Sequence, residues 1–254
     1  MEPTFRWVRR VLVATSVLLA GVSQASGVSG QGTWEATLLG RDINGESVPA
    51  SSANAVFLYD TSLNITWLRN GNMNGPMDWA AANGWASSLV VGTYGGWKLP
   101  TLGPVNGVAF QYSWSNNGTT DIGYPSANGW GTSNELGHLF YVTLGNSAYC
   151  APNDLAPSQC SAQSVFGLTN SGSFLNLQAG GAYWTGAQYS NFGYWGFYTG
   201  FGYQDAGTTV YGPTVAIAVR SGDVLTAVPE PQTYALLLGG LVLLGALRAR
   251  MQRK

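Results

Sequence analysis

Short runs of apolar residues, separated by polar and glycine-rich turns, recur along this 254-residue chain and predict a domain rich in short strands. Residues 55–59 and 65–68 form the clearest pair, because a polar turn joins two runs of branched and aromatic side chains into a predicted hairpin. Further strands are predicted at 165–168, 183–185 and 215–220.

Two segments instead carry the spacing of amphipathic helices. The first helix is predicted to open at Pro76 and to carry Asp78 in its first turn. Its predicted buried face consists of Ala81, Trp85 and Leu89. In the second helix, Thr132 and Glu135 match a capping box and Gly145 ends the helix. Its predicted apolar face consists of Leu136, Leu139, Phe140 and Leu144. Together with the strands, these helices predict an α+β fold.

The N-terminus carries the pattern of a secretory signal peptide. Three arginines precede the apolar run 11–22, and Ser23-Gln24-Ala25 offers small residues at the −3 and −1 positions of a cleavage site. We expect residues 1–25 to form a signal helix that is removed after Ala25. The alternative is an uncleaved anchor, which a run of twelve residues disfavours.

The C-terminus combines a Pro-Glu-Pro triplet, an uncharged run and a basic end. The two prolines impose extended backbone, so Glu230 is displayed on a segment that cannot be helical. The run 234–247 predicts a transmembrane helix of ~21 Å, shorter than a hydrocarbon core of about 30 Å. Four basic residues between 248 and 254 should keep the end of the chain cytoplasmic.

This order of features resembles the PEP-CTERM sorting signal, here at residues 228–254. The resemblance implies export through the secretion translocon, transient anchoring in the inner membrane, and processing by an exosortase. It assigns the sorting motif to Pro229, Glu230 and Pro231 and the destination to the cell surface or the extracellular space. The alternative is an ordinary single-pass anchor that is never cut.

Removing both targeting segments changes the charge of the chain. The exported residues 26–228 keep four basic and ten acidic residues, a net charge of −6. This acidic balance disfavours a nucleic-acid partner, which would require a basic surface. Cys150 and Cys160 are the only cysteines, and in an oxidising compartment their even number and short spacing predict a disulfide. A metal pair or a redox dithiol is the alternative, but no further ligands lie nearby.

Three segments, in order, resemble the Lcl C-terminal type of domain. They are the hairpin around Asp60-Thr61-Ser62, the sequence Trp97-Lys98-Leu99-Pro100-Thr101, and the pair formed by 183–185 and 219–220. The chain departs from that family where Lys98 replaces an arginine and where 102–105 lacks a glutamate.

The Lcl resemblance implies a C-type-lectin-like fold over residues 53–222, with two helices and short twisted antiparallel sheets. Residues 26–52 are then a polar N-terminal segment, and 223–227 form a linker to the tail. The fold is related to that of formylglycine-generating enzymes, but the resemblance transfers no catalytic residue.

The stretch 183–203 contains ten aromatic residues among 21. Flat rings beside amide side chains can stack on sugar faces and hydrogen-bond hydroxyl groups. The candidate glycan-binding residues are Trp184, Tyr189, Tyr194, Trp195 and Tyr198. The alternative is that these rings pack the core of a strand-rich domain.

Catalytic and metal-binding signals are weak. The acids that could bind calcium are scattered at Asp121, Glu135, Asp154 and Asp205, and no metal-ligand motif occurs. His138 is the only histidine, expected on a helix surface, and no nucleophile or cofactor motif accompanies it.

The sequence therefore favours a non-enzymatic, exported protein of the cell surface or extracellular matrix that binds exopolysaccharide and needs no cofactor. A purely structural matrix component is one alternative. The other is a thiol-dependent enzyme on a formylglycine-generating-like scaffold, for which one cysteine would have to be free.

Overall fold

A computed structural model describes residues 26–126, 129–152, 156–190, 193–207 and 214–225. The predicted signal peptide and the predicted sorting tail lie outside these residues. Within the described ranges, no helix is both long enough and apolar enough to cross a membrane.

The regular elements of the described residues are mostly strands with few helices, which confirms the mixed α+β class. Its helical elements are α1 (Trp34–Thr37), α2 (Trp79–Ser88), α3 (Glu135–His138) and a π-helical turn (Leu139–Thr143). Its first strands are β1 (Leu38–Arg41), β2 (Ser47–Val48), β3 (Phe57–Asp60), β4 (Ile65–Leu68), β5 (Trp114–Ser115) and β6 (Ile122–Gly123). The later strands are β7 (Ala182–Ser190), β8 (Gly193–Tyr198), β9 (Tyr203–Gly207), β10 (Thr214–Val215) and β11 (Val219–Ser221).

The first sheet has five antiparallel strands in the order β11-β4-β3-β1-β2. The predicted hairpin is present as β3 and β4, with Phe57 opposite Leu68 and Asp60 opposite Ile65. β1 pairs along its whole length with β3, and Leu38 is buried in the core. The segment 26–52, which we expected to precede the domain, therefore supplies two strands of its sheet.

The second sheet has six strands in the order β10-β7-β8-β9-β6-β5. Strands β7, β8 and β9 form an antiparallel meander, but β10 runs parallel to β7 and β5 parallel to β6. The expectation of purely antiparallel sheets is wrong at these two pairs. Gly123 permits the close approach of β6 to β5, because its φ is +113° and a Cβ there would lie 1.9 Å from the Ser115 carbonyl oxygen.

The predicted strand at 215–220 is two strands, because the chain passes from one sheet to the other. β10 pairs with β7 in the second sheet, and β11 pairs with β4 in the first. The connecting residues 216–218 are all buried. Because they are covered on both sides, successive residues of this connection are apolar instead of alternating with polar ones. The strand predicted at 165–168 is absent: Gly167 forms only an isolated bridge with Ser147.

Both helices differ from their predicted ends. Asp78 precedes α2 as its N-cap and accepts a hydrogen bond from the Ala81 backbone N–H at 2.8 Å. The buried face of α2 is Ala82 and Ala86, one residue away from the predicted face. Two small side chains let the helix approach the core closely, and Trp85 packs only partly against the same cluster.

The second predicted helix is observed as α3 and the π-helical turn that follows it. It begins at a cap that the sequence did not predict. The Asn134 side chain, not Thr132, accepts a hydrogen bond from the Gly137 backbone N–H. Glu135 reaches away to accept from the Thr101 backbone N–H at 2.6 Å. The predicted apolar face is buried as expected, and Gly145 follows with a φ of +64°.

The largest buried cluster combines side chains of both sheets with the second helix. Its larger members include Leu58, Trp67, Phe140, Tyr183, Phe197 and Ile217. Because Phe197 belongs to this cluster, one face of β8 packs against the core. This packing also sets the orientation of the aromatic residues that follow β8 in the chain.

Candidate functional site

The five predicted glycan-binding residues do not share an exposed surface. Trp195 is fully buried, Trp184 and Tyr198 are each 7% exposed, and Tyr189 is 38% exposed. The reason is that β8 is covered on both faces, so alternation along the strand does not separate a solvent side from a core side. Trp195 packs with Leu102 and Ile122 in a cluster of its own.

Tyr194 and Trp184 belong to the packing between α2 and β7. The Tyr194 ring stacks on Trp79 with centroids 4.2 Å apart and an interplanar angle of 7°. The Trp184 indole N–H donates to the Met77 carbonyl oxygen at 2.8 Å. The Trp79 indole N–H donates to the Thr185 carbonyl oxygen at the same distance. These hydrogen bonds give both tryptophans a structural role.

Four aromatic side chains of the described residues are exposed, and all four belong to two adjoining groups of rings. They are Tyr112, Trp114, Tyr189 and Phe201. In one group, Tyr112 contacts Tyr189 edge to face at 4.8 Å. In the other, Trp114 lies 5.3 Å from Tyr203, which lies 6.2 Å from Phe201. Tyr112 and Trp114 are two positions apart in the chain and so link the two groups in sequence. We call the five residues Tyr112, Trp114, Tyr189, Phe201 and Tyr203 the exposed aromatic network.

Two rings of this network, Trp114 and Tyr112, have contacts that hold them in place. The Trp114 indole N–H donates to the Asn116 side-chain oxygen at 2.7 Å. Tyr112 rests on buried Trp195 with centroids 6.0 Å apart. Rings that are exposed yet fixed lose little conformational freedom when they bind a ligand.

The loop that carries Tyr112 and Trp114 is fastened by a buried carboxylate. Asp121 accepts hydrogen bonds from the backbone N–H groups of Val105 and Gln111, each at 2.6 Å. The Gln204 side chain on β9 donates to the Asp121 carbonyl oxygen at 2.5 Å. Asp121 therefore organises the loop and is committed to backbone donors.

The predicted glycan-binding set contains only Tyr189 of this network, and it omits the four other members, Tyr112, Trp114, Phe201 and Tyr203. Tyr112 and Trp114 lie in a glycine- and asparagine-rich loop region, where no periodicity reports exposure. The composition of this region offers a signal of exposure. Large rings among small polar residues have few apolar neighbours in sequence.

Asp121, Glu135 and Asp205, the described members of the scattered acids, do not form a metal site with other described residues. Within the described ranges, no group of three or more His, Cys, Asp or Glu side chains could hold a metal ion. Asp154 lies outside those ranges. Burial raises the pKa of the Asp205 carboxyl group, and a hydrogen bond from the Ala206 backbone N–H partly offsets this.

His138 has partners that the sequence did not indicate. Its Nε2 atom lies 3.0 Å from the Ser62 hydroxyl, which in turn donates to Asp60 Oδ1 at 2.5 Å. Burial lowers the pKa of His138, and the charge of Asp60 partly offsets this. The serine stands between acid and imidazole, whereas a nucleophilic triad places the imidazole between serine and acid. The arrangement ties α3 to the turn between β3 and β4.

The predicted disulfide is present. Cys150 and Cys160 are joined with their Cα atoms 5.0 Å apart, and Cys150 is buried beside Tyr124 and Ala148. No free cysteine occurs among the described residues.

Comparison with known proteins characterises the tail but not the folded domain. No curated protein and no solved structure matches this chain. No matching family or structure supports the Lcl-type, C-type-lectin-like assignment, which stays a prediction. The family model for the PEP-CTERM protein-sorting motif matches residues 227–254. The chain therefore carries a PEP-CTERM sorting motif, which indicates an exported protein that is anchored in the membrane before an exosortase processes it.

Proposed function

We propose that this protein is a non-enzymatic component of the cell surface or extracellular matrix that binds exopolysaccharide through its exposed aromatic network. The sorting motif accounts for delivery, and the network accounts for retention at the polysaccharide. Tyr189 is the one residue of the predicted glycan-binding set that belongs to this surface.

The observation that carries the proposal is the distribution of exposed rings. Most of the aromatic side chains in the described residues are buried or half-buried, and the four exposed ones lie in two adjoining groups. Aromatic surface of this kind is costly to leave in water. Grouping these rings favours a ligand with flat, apolar faces and a polar rim, which describes a sugar ring.

The sparse surface charge supports an uncharged or weakly charged contact. The exported residues carry only four basic side chains, and Arg41 and Arg69 among them are buried. Recognition by stacking and hydrogen bonding therefore fits the exposed aromatic network better than recognition by charge.

Affinity electrophoresis tests the proposal directly, with exopolysaccharide from the producing cells cast into the gel. We expect the gel to retard the wild-type protein, Trp114→Phe to retain most of the retardation, and Trp114→Ala to lose it. Val108→Ala removes a side chain that is 86% exposed and lies outside the network, so this control should behave as wild type.

Equal migration of wild type and Trp114→Ala would contradict the glycan-binding proposal and favour a purely structural matrix component. The thiol-enzyme alternative has less support, because both of its candidate thiols are joined in the disulfide.

A further inference from the structure

A cavity of about 470 Å³ opens beside the N-terminal segment, and no residue of the exposed aromatic network lines it. Its volume falls within the range typical of small-molecule sites, about 300–1,000 Å³. Its wall combines one cation, one indole and several hydroxyl groups. The lining includes Ser26, Trp34, Ser51, Arg69, Ser171 and Ser173.

Arg69 is a buried cation that has no carboxylate partner among the described residues. Its side chain belongs to a residue that is 7% exposed, and neither ion pair of the described residues includes it. Its Nε donates to the Ser173 carbonyl oxygen at 2.8 Å, and its Nη1 donates to the carbonyl oxygens of Ser52 and Ala55. Neutral acceptors satisfy the hydrogens but leave the positive charge uncompensated.

Arg69 lines the cavity, and one nitrogen of its guanidinium has hydrogen-bonding capacity to spare. Its Nη2 makes a single long bond of 3.4 Å to the Ser51 carbonyl oxygen, although this nitrogen carries two hydrogens. Glu35, the acid next to Trp34 in sequence, instead accepts from the Gly30 backbone N–H and the Ser29 hydroxyl. Burial also lowers the pKa of Arg69, because the charged guanidinium is partly removed from water.

Trp34 supplies a fixed aromatic wall to the cavity. Its indole N–H donates to the Val28 carbonyl oxygen at 3.2 Å. Gly27 and Gly172 lie against the ring so closely that a Cβ on either would sit 3.2 Å from it. If the signal peptide is cut after Ala25, as predicted, the α-ammonium group of Ser26 adds a second positive charge to this wall.

We propose that this cavity binds a carboxylate-bearing sugar of the uronic acid class, with the carboxylate on Arg69 and the sugar ring against Trp34. A planar guanidinium suits a carboxylate, and the surrounding hydroxyls suit those of the sugar. The proposal does not rest on polysaccharide binding by the exposed aromatic network, and either can fail without the other.

The test is isothermal titration of the protein purified after export with galacturonate, galactose and acetate. We expect galacturonate to bind at least about tenfold more tightly than galactose or acetate, because only it offers both the charge-assisted bonds and the ring contact. Binding of galactose or of acetate as tight as that of galacturonate would overturn the proposal, as would no binding of galacturonate.

A matched pair of variants locates the site. Ser51→Glu places a carboxylate at an exposed position of the cavity wall and should weaken galacturonate binding at least about tenfold by competing for Arg69. Ser87→Glu adds the same charge on the exposed face of α2, outside the cavity, and should bind as wild type. Ser26→Asp repeats the test at the exposed N-terminal edge if Ser51→Glu does not fold. Undiminished binding by a folded Ser51→Glu or Ser26→Asp protein would refute the assignment.

Discussion

Arg41 and Asp223 form a two-point ion pair although 182 residues separate them in the chain. The Arg41 Nε donates to Asp223 Oδ1 at 3.0 Å, and Nη2 donates to Oδ2 at 2.7 Å. The pair joins β1, near the start of the described residues, to the point where the chain leaves the first sheet. Asp223 stands six residues before Pro229, and this contact holds the last described residues against β1.

Loss of the acid should be costly, because it leaves a buried guanidinium unpaired. The Arg41 side chain is 4% exposed and that of Asp223 is 22% exposed. We expect Asp223→Ala to lower the free energy of unfolding by about 3 kcal/mol in a urea titration. Glu46→Ala removes an exposed acid nearby and should change stability by less than about 0.5 kcal/mol. Equal stability of the two variants would show that the pair contributes nothing.

Two tryptophans of the aromatic region should respond oppositely to truncation. Trp195 is fully buried, so Trp195→Ala should destabilise the domain by about 3–5 kcal/mol. Trp114 is 47% exposed, so Trp114→Ala should cost less than about 1 kcal/mol. Thermal melts followed by far-ultraviolet circular dichroism measure both. A larger loss for Trp114→Ala would contradict the assignment of core and surface.

Local patterns were sufficient to predict some of this fold. The β3–β4 hairpin and the apolar face from Leu136 to Leu144 follow from contacts between residues that are close in sequence. The position of β1 inside a sheet depends on pairing with β3 across an irregular connection, and its ion pair with Asp223 joins residues 182 positions apart. No local pattern reports either contact.

Exposure of the aromatic residues was the least predictable feature. Trp195 and Trp114 are the same residue type, and only the covering elements decide that one is core and the other surface. The face of α2 was misplaced by one residue because alanines, rather than the larger Trp85, meet the core.

Acidification should weaken the domain through His138. Burial lowers its pKa below the ordinary value of 6.5 in the folded state. The unfolded chain therefore takes up the proton first as the pH falls, and stability declines below about pH 6.5. Melting temperatures from pH 8 to about pH 5 should show this decline in the wild type and a smaller one in His138→Gln. Identical pH profiles would remove His138 as the cause.

Reduction of the disulfide should destabilise the domain without altering its sheets. Closure of a loop with a sequence separation of 10 corresponds to roughly 2–3 kcal/mol in the chain-entropy description. The double variant Cys150→Ser, Cys160→Ser should show this loss at equilibrium, and the wild type with reductant should match it. An unchanged midpoint of unfolding after complete reduction would argue against a stabilising crosslink.

The central claim is that an exosortase reads Pro229, Glu230 and Pro231 and processes the exported chain. The most direct test is intact-mass analysis of the protein from membrane and extracellular fractions, for wild type and for a variant with all three residues changed to alanine. We predict that the wild type is recovered outside the membrane without its basic C-terminal end, and that the variant stays in the membrane fraction at full tail length. Recovery of a variant that is released and shortened like the wild type would contradict the account.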